Sequence, residues 1–188
     1  MDDPIIEARF FVITGGPGSG KTTLIEALAS QGLARSIEAG RAIIKEQVAI
    51  GGDAMPWADR GAFAELMFNR EMRSYHWARE IKGQVIFDRG IPDVIGYLTL
   101  EKLPVPEYMD SAARQFRYNG NVFIAPPWPE IFDQDTERKQ TFDEARTTYD
   151  MMVETYAAYG YLLVTLPLGS VEERVRFVVE HVTKEIFS

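Results

Sequence analysis

The sequence has no cysteine, which excludes disulfides and thiolate metal sites and fits a reducing cytoplasm, the location expected for this chain. Histidine is almost as scarce. His76 and His181 stand alone, with nothing to place either among other ligands, and both read as surface or helix-packing residues. No apolar run approaches the roughly 20 residues that a membrane span needs. The start, Met1-Asp2-Asp3-Pro4, lacks the basic opening and apolar stretch of a signal peptide. Basic charge is also in short supply: 20 Lys and Arg stand against 28 Asp and Glu, a net charge of −8. That deficit excludes the broad cationic surface by which proteins grip nucleic acids. It leaves open a small anionic ligand, which needs only local donors and a few placed cations.

What is present is enough apolar material for a core, 46% of the residues, in a chain of 188 that reads as one domain over residues 1–188. No internal repeat, low-complexity tract or linker interrupts it. Phe10-Phe11-Val12-Ile13 predicts a buried strand ending at Gly15-Gly16-Pro17-Gly18. Helical spacing follows from Lys21, and Gln31-Gly32 stops it. Ser36-Ile37-Glu38 reads as a second short strand before a helix from about Arg41 to Ile50. A long helix from about Asp59 to Lys82 carries Phe63, Leu66, Met67, Trp77, Ala78 and Ile81 on one side, with Arg70 and Ser74 inside that stripe. Gln84–Asp88, Asn121–Ala125 and Tyr161–Thr165 are further strands. Thr141–Glu144 and Ser170–Glu173 match capping boxes that open two late helices. Five apolar strands alternating with helices predict an α/β fold with a parallel sheet covered on both faces.

Gly15-Gly16-Pro17-Gly18-Ser19-Gly20-Lys21-Thr22 fits G-x-x-x-x-G-K-[ST] between a buried strand and a helix. Glycines let the backbone close around phosphate oxygens, and the exposed N–H groups with the helix N-terminus bind the anion. Lys21 then reaches the β- and γ-phosphates, Thr22 offers its hydroxyl to Mg²⁺, and Thr23 stands near the α-phosphate. The expected ligand is a nucleoside triphosphate, ATP with Mg²⁺; no Asn-Lys-x-Asp guanine motif is present. Asp88 ends an apolar strand, which delivers a carboxylate to the carboxyl edge of the sheet, where such folds bind ligands. Two roles fit it: holding Mg²⁺, or capping Gly90 and the next helix. Arg89 either faces the phosphates or forms an exposed ion pair.

These features resemble small P-loop kinases. Asp88-Arg89-Gly90 after an apolar strand is similar to the Asp-Arg-x motif of deoxynucleoside kinases, with Gly90 where those usually carry Ser. The whole-chain order resembles the ribosylnicotinamide kinase domain of the bacterial NAD regulator, and the predicted AAA-type ATPases grouped with it. Gly15–Thr22, Glu38-Ala39-Gly40-Arg41, Phe87–Gly90 and the segment around Pro127-Trp128, Asp135 and Arg138 carry that likeness. Nucleoside monophosphate kinases are similar in the same features. The resemblance implies a three-layer P-loop NTPase fold with strand order 2-3-1-4-5 and a lid between the fourth strand and the next helix. In related kinases an acid at the place of Glu38 accepts the proton of the acceptor hydroxyl; the alternative is an acid serving the helix that follows.

Arg138, in the expected lid, either donates to the migrating phosphoryl group or belongs to a solvated charged loop. Arg146, two helical turns on, is a weaker candidate. Arg70, by its place in the stripe, requires an anionic partner, either a substrate group or a structural Asp or Glu. Arg41 is a second acceptor-side candidate. Trp57 and Trp128 lie in loops where a ring can stack on a ligand or pack over a core edge. Two functions fit the whole: a kinase moving the γ-phosphate of ATP to a small-molecule acceptor, or a nucleotide-dependent regulatory protein. In the second, Met55-Pro56-Trp57 and Pro126–Pro129 would contact a protein or lipid partner.

Overall fold

A computed structural model of the protein describes residues 3–132 and 141–184. The central strand, β2 (Phe10–Gly15), is buried along its whole length. It pairs in parallel with β4 (Val85–Asp88) on one side and with β6 (Asn121–Ala125) on the other. β3 (Ala34–Arg35) lies outside β4, and β7 (Leu162–Thr165) outside β6. The order is β3-β4-β2-β6-β7, which is 2-3-1-4-5 when these five strands are numbered among themselves.

Alternate side chains of the inner strands enter two cores. Phe10, Val12, Val85, Phe87 and Val122 meet α3 (Arg60–Arg79), α4 (Ile91–Leu100), α5 (Glu107–Gln115) and α7 (Phe142–Ala158). Phe11, Ile13, Ile86 and Phe123 meet α1 (Lys21–Ser30) and α8 (Val171–Lys184) on the other face. Because both faces are covered, the strands read as unbroken apolar runs and not as alternating ones. α2 (Ala39–Ile50) adds a smaller cluster, in which Ala39 and Ile43 meet Phe63. Both expected capping boxes form: Thr141 and Glu144 exchange side chain-to-backbone bonds, as do Ser170 and Glu173.

Three sequence readings need correction. The second strand is Ala34–Arg35; Ser36 only extends its pairing, through N–H to the Ile86 carbonyl at 2.9 Å, and Ile37 turns out to solvent. Glu38 therefore stands at the N-cap position of α2, not at a strand end. On α3 Phe63 and Ala78 of the expected stripe are buried, but the rest of the buried path is Ala64, Phe68, Glu71 and Tyr75, while Trp77 is 45% exposed. A small residue, Ala64, and an acid, Glu71, hide that path from a hydrophobic pattern. Finally, β1 (Ile5–Ile6) and β5 (Phe116–Arg117) form a separate parallel pair. Tyr75 fastens it, its single hydroxyl proton shared between the Ile5 carbonyl at 3.1 Å and that of Arg117 at 2.9 Å. A short helix, α6 (Pro129–Phe132), follows the fourth sheet strand.

Phe10 touches Tyr75 and Phe87 edge-on or tilted, with ring centroids 5.2 and 5.1 Å away. Phe10→Ala should lower the unfolding free energy by about 3–5 kcal/mol, and Tyr75→Phe by about 1 kcal/mol through the lost hydroxyl bond, since the Arg117 carbonyl keeps the Glu7 N–H at 2.9 Å. Urea titration followed by circular dichroism measures both. A loss below about 1 kcal/mol at Phe10 would contradict this packing.

Candidate active site

The carboxyl edge of the sheet gathers the functional residues. β2 runs out at Gly15, whose φ of 127° and closeness to β6 admit no side chain: a Cβ there would lie 2.4 Å from the Ala125 carbonyl oxygen. Gly16 is as tightly placed against α7, where a Cβ would lie 2.2 Å from the Ala145 carbonyl oxygen. The chain then bends through Pro17, Gly18, Ser19 and Gly20 into α1, with Leu24 N–H already bonded to the Gly20 carbonyl at 3.2 Å. The Ser19 hydroxyl ties the bend together by donating to the Gly16 carbonyl at 2.9 Å.

Lys21, the first residue of α1, is buried. Its Nζ donates to the carbonyls of Gly15 (3.1 Å) and Gly16 (2.7 Å) and to Ser19 Oγ (3.3 Å). The ammonium is thus folded back along the loop that a polyphosphate would fill. Burial, and then Arg89, push it down to about 7, against the pull of Asp88, Glu38 and Asp93. Thr22 and Thr23 are exposed on the first turn.

Asp88 ends β4 beside this loop. Its N–H donates to Ser36 Oγ at 3.0 Å, and its buried Oδ1 has no hydrogen-bond partner. Burial, then Glu38, push its carboxyl up to about 6, with Lys21 and Arg89 opposing. A buried carboxylate oxygen left unmatched is costly unless a cation arrives. Asp88 with the Thr22 hydroxyl is a hard-oxygen donor set of the kind that suits Mg²⁺. Asp88 does not cap the next helix; Asp93 does, accepting from Gly90 N–H at 2.9 Å.

Arg89 has φ 72°, a left-handed backbone uncommon for a non-glycine residue and of order 1–3 kcal/mol less favourable than ordinary regions. That twist sends its N–H to the Ile13 carbonyl (3.1 Å) and its guanidinium to Asp93 (3.0 Å), with Glu38 3.9 Å away. Burial alone would lower its pKa, but Asp93, Glu38 and Asp88 outweigh that and raise it. It is a half-buried ion-pair residue inside the site, not an exposed one. Glu38 also meets Arg41 at 3.4 Å, on a side chain that is mostly exposed.

Arg70 is not brought to this cluster: it forms an ion pair with Glu46 of α2. Arg138 lies outside the described residues. Arg146 is exposed on α7. Trp128 packs against a cation, the Arg174 guanidinium lying 5.8 Å from its ring centroid. His181 binds the Phe177 carbonyl at 2.7 Å and His76 packs on Tyr75 and Phe116, both as helix-packing residues.

Three residues here escaped the sequence reading. Asp93 is a hub: Oδ1 accepts from Thr14 Oγ1 (2.5 Å) and Arg89, and Oδ2 from Gly90 N–H and the Tyr156 hydroxyl (2.5 Å). Glu71 is buried with Oε2 unpartnered; burial first, then Asp93 and Asp88, raise its pKa well above the usual carboxylate value. Arg174 is buried on α8, donates to the Ser19 carbonyl at 3.0 Å, and leaves Nε without a partner. Its signal was present, since a cation falls within the stripe of Val171, Val175, Val178 and Val182.

These shifts give opposite slopes of stability against pH. For Asp88 the folded value of about 6 lies above 3.8, so the folded state binds more protons and its contribution falls as pH rises between about 4 and 6. For Lys21 the folded value of about 7 lies below 10.5, so the unfolded state binds more protons and stability rises with pH across that window. Relative to wild type, Asp88→Asn should gain stability as pH climbs through the first window, and Lys21→Met should lose it through the second. Urea titrations across both windows, without nucleotide, check the signs; differences flat with pH would contradict the burial of these two groups.

The AAA domain family model matches residues 10–174, spanning the loop, both acids of the sheet edge and α8's Arg174. No curated protein is similar enough in sequence to count as a relative. Among solved structures, deoxyadenosine kinase from M. mycoides with dCMP and a flexible dCDP superposes with a TM-score of 0.67 at 13% identity, covering 93% of this chain and 99% of that one. NadR protein in complex with NR gives 0.68 at 20% identity, covering 94% of this chain and 51% of that one, so this chain spans about half its length. Shikimate kinase from Acinetobacter baumannii with shikimate gives 0.56 at 15%, with 94% of each chain covered. At such identities these likenesses establish a shared fold, the P-loop α/β fold built here around β2 and α1. With a family model matching most of its length, this chain belongs to the AAA domain family.

Proposed function

We propose that this protein is a phosphotransferase that moves the γ-phosphate of ATP to a hydroxyl of a small-molecule acceptor. The observation that carries this reading is the unmatched Asp88 oxygen standing beside the buried Lys21 loop, with a second acid, Glu38, across from it. A hydrolytic switch needs the first two; the second acid gives an acceptor hydroxyl a place to lose its proton. Fold relatives holding dCMP, NR or shikimate support a small-molecule acceptor.

Each residue has a part. The amides from Gly15 to Thr22 and the start of α1 bind the phosphates. Lys21 exchanges the Gly15 and Gly16 carbonyls for β- and γ-phosphate oxygens, and in that anionic company regains full charge. Thr22 and Asp88 would hold Mg²⁺, which when bound offsets charge on the β- and γ-oxygens. Glu38 accepts the proton that leaves the acceptor hydroxyl, while Arg41 and Arg89 fix its carboxylate through the pairs already described. Arg174, anchored to the Ser19 carbonyl, sets the outer rim of the loop.

Lys21→Ala should weaken ATP·Mg²⁺ binding by about a hundredfold or more, yet leave the empty protein folded, since the side chain removed is a buried cation. Calorimetry and urea titration measure the two effects; unchanged affinity would overturn the assignment of Lys21. Glu38→Gln should retain ATP affinity and cut acceptor-dependent ADP release by about 10²–10⁴-fold. The assay uses a panel of nucleosides, nucleoside monophosphates and other polar metabolites. If no acceptor raises ADP release above the acceptor-free rate, transfer is disproved and the switch reading takes its place.

A further inference from the structure

A second buried cation stands at the phosphate loop, behind it. Arg174 is 4% exposed, and among the described residues no carboxylate pairs with its guanidinium. Its place is set by α8. The Ser170–Glu173 clasp starts that helix, and Arg174 N–H bonds the Ser170 carbonyl at 3.1 Å. Val175, Val178 and Val182 then pack with Leu24, Ile25 and Leu28 of α1. One apolar cluster thus fixes both the helix that follows the loop and the helix that carries the guanidinium.

The guanidinium meets the loop at a single peptide. Nη1 donates to the Ser19 carbonyl at 3.0 Å, while Nε is buried without a partner. The Trp128 ring lies beside it, its centroid 5.8 Å from Cζ. A Cβ on Gly20 would come to 2.7 Å from Nη1 and 3.2 Å from Ile131 Cδ1, at a φ of 72°. The last glycine of the motif therefore makes room for Arg174 as well as for the bend.

One carbonyl and one ring offset only part of what a guanidinium loses on leaving water, and burial lowers its pKa. Yet what it touches is a dipole of the site. A trans peptide is planar, with its C=O and N–H pointing opposite ways, and the chain has no cis bond. With the Ser19 carbonyl turned to Arg174, the Gly20 N–H of the same peptide is turned away from it. Among the described residues that N–H bonds no acceptor.

We propose that Arg174 is a positioning residue for the phosphates: by holding the Ser19 carbonyl outward, it aims the Gly20 N–H into the bend. A charged donor on the carbonyl also polarises the peptide and makes its N–H a stronger donor. Arg174 stands behind the peptide and acts through it, whereas Lys21 meets the phosphates itself. A dipole already aimed needs no reorientation when the anion arrives. The inference rests on the nucleotide-binding half of the phosphotransferase reading, and its test separates the two.

ATP·Mg²⁺ and inorganic tripolyphosphate, which has neither base nor sugar, are titrated by calorimetry into wild type, Arg174→Met and Arg174→Lys. Glycine labelled with ¹⁵N reports the Gly20 amide by nuclear magnetic resonance. In Arg174→Met both ligands should weaken by about tenfold or more, and by similar factors. Arg174→Lys, which keeps a charged donor, should recover most of that loss. The Gly20 amide signal should move in Arg174→Met before any ligand is added, and its response to phosphate should shrink. Helix packing alone would lower the urea midpoint while leaving affinity and the Gly20 response as in wild type; that result overturns the inference. A loss confined to ATP, with tripolyphosphate unaffected, places Arg174 at the base or sugar and overturns it too. A wild type that takes ATP but not tripolyphosphate is judged on ATP·Mg²⁺ and the Gly20 signal. Should Arg174→Met fail to fold, Arg174→Gln decides on the same measures, with a loss of about threefold or more expected. ATP binding without transfer to any acceptor overturns the phosphotransferase reading and leaves the role of Arg174 standing. Neither ligand bound by wild type sinks both.

Discussion

A cation buried without a carboxylate in contact is the constraint around which this protein is arranged. Lys21 has only loop carbonyls and a hydroxyl for partners, and burial draws its pKa down toward neutrality. Nothing in the empty fold repays that desolvation in full. The loop is closely bounded around it: β6 lies against Gly15, α7 against Gly16, and Arg174 bonds the Ser19 carbonyl. The site is therefore organised for an anion before any anion is present, which lowers the reorganisation needed on binding.

A second arrangement keeps the acids apart in role. Asp88 is left with an open oxygen, whereas Asp93, in the first turn of α4, is filled by four donors, one each from β2 and α7 and two from Arg89 and Gly90 between β4 and α4. Asp93 thereby fixes Arg89, and Arg89 restrains Glu38. Among the described residues, Arg89 is the non-glycine residue at the sheet edge with a left-handed backbone, and its guanidinium reaches both acids from there.

The sequence made legible what is local. The phosphate loop, Asp88 at a strand end, both capping boxes and the five-strand order are set by consecutive residues or by a whole-chain likeness. What it hid depends on which side of a helix faces inward. Arg70 and Glu71 are neighbours about 100° apart around the helix axis, and the stripe drawn through Leu66 and Trp77 put the wrong one inside. Ala64 fits both a core path and a solvated one, so only the packing of α4 against α3 decides. Strands of two residues, such as β1 and β5, are too short to carry any periodicity. Glu38 was recognised as an acid beside the loop although its element was misread, because the short turn through Ser36 brings it to the same place.

The approach of Gly16 to Ala145 reaches beyond the loop itself. With only bare backbone between them, the bend and the first turn of α7 behave as meshed parts, and α7 begins where residues 133–140 end. The bend has no room to shift toward that helix start, so its position and that of the Thr141–Glu144 clasp are set together. Farther along the same 17-residue helix, Met152 and Tyr156 pack on α4, so one element braces both the bend and the helix that carries Asp93.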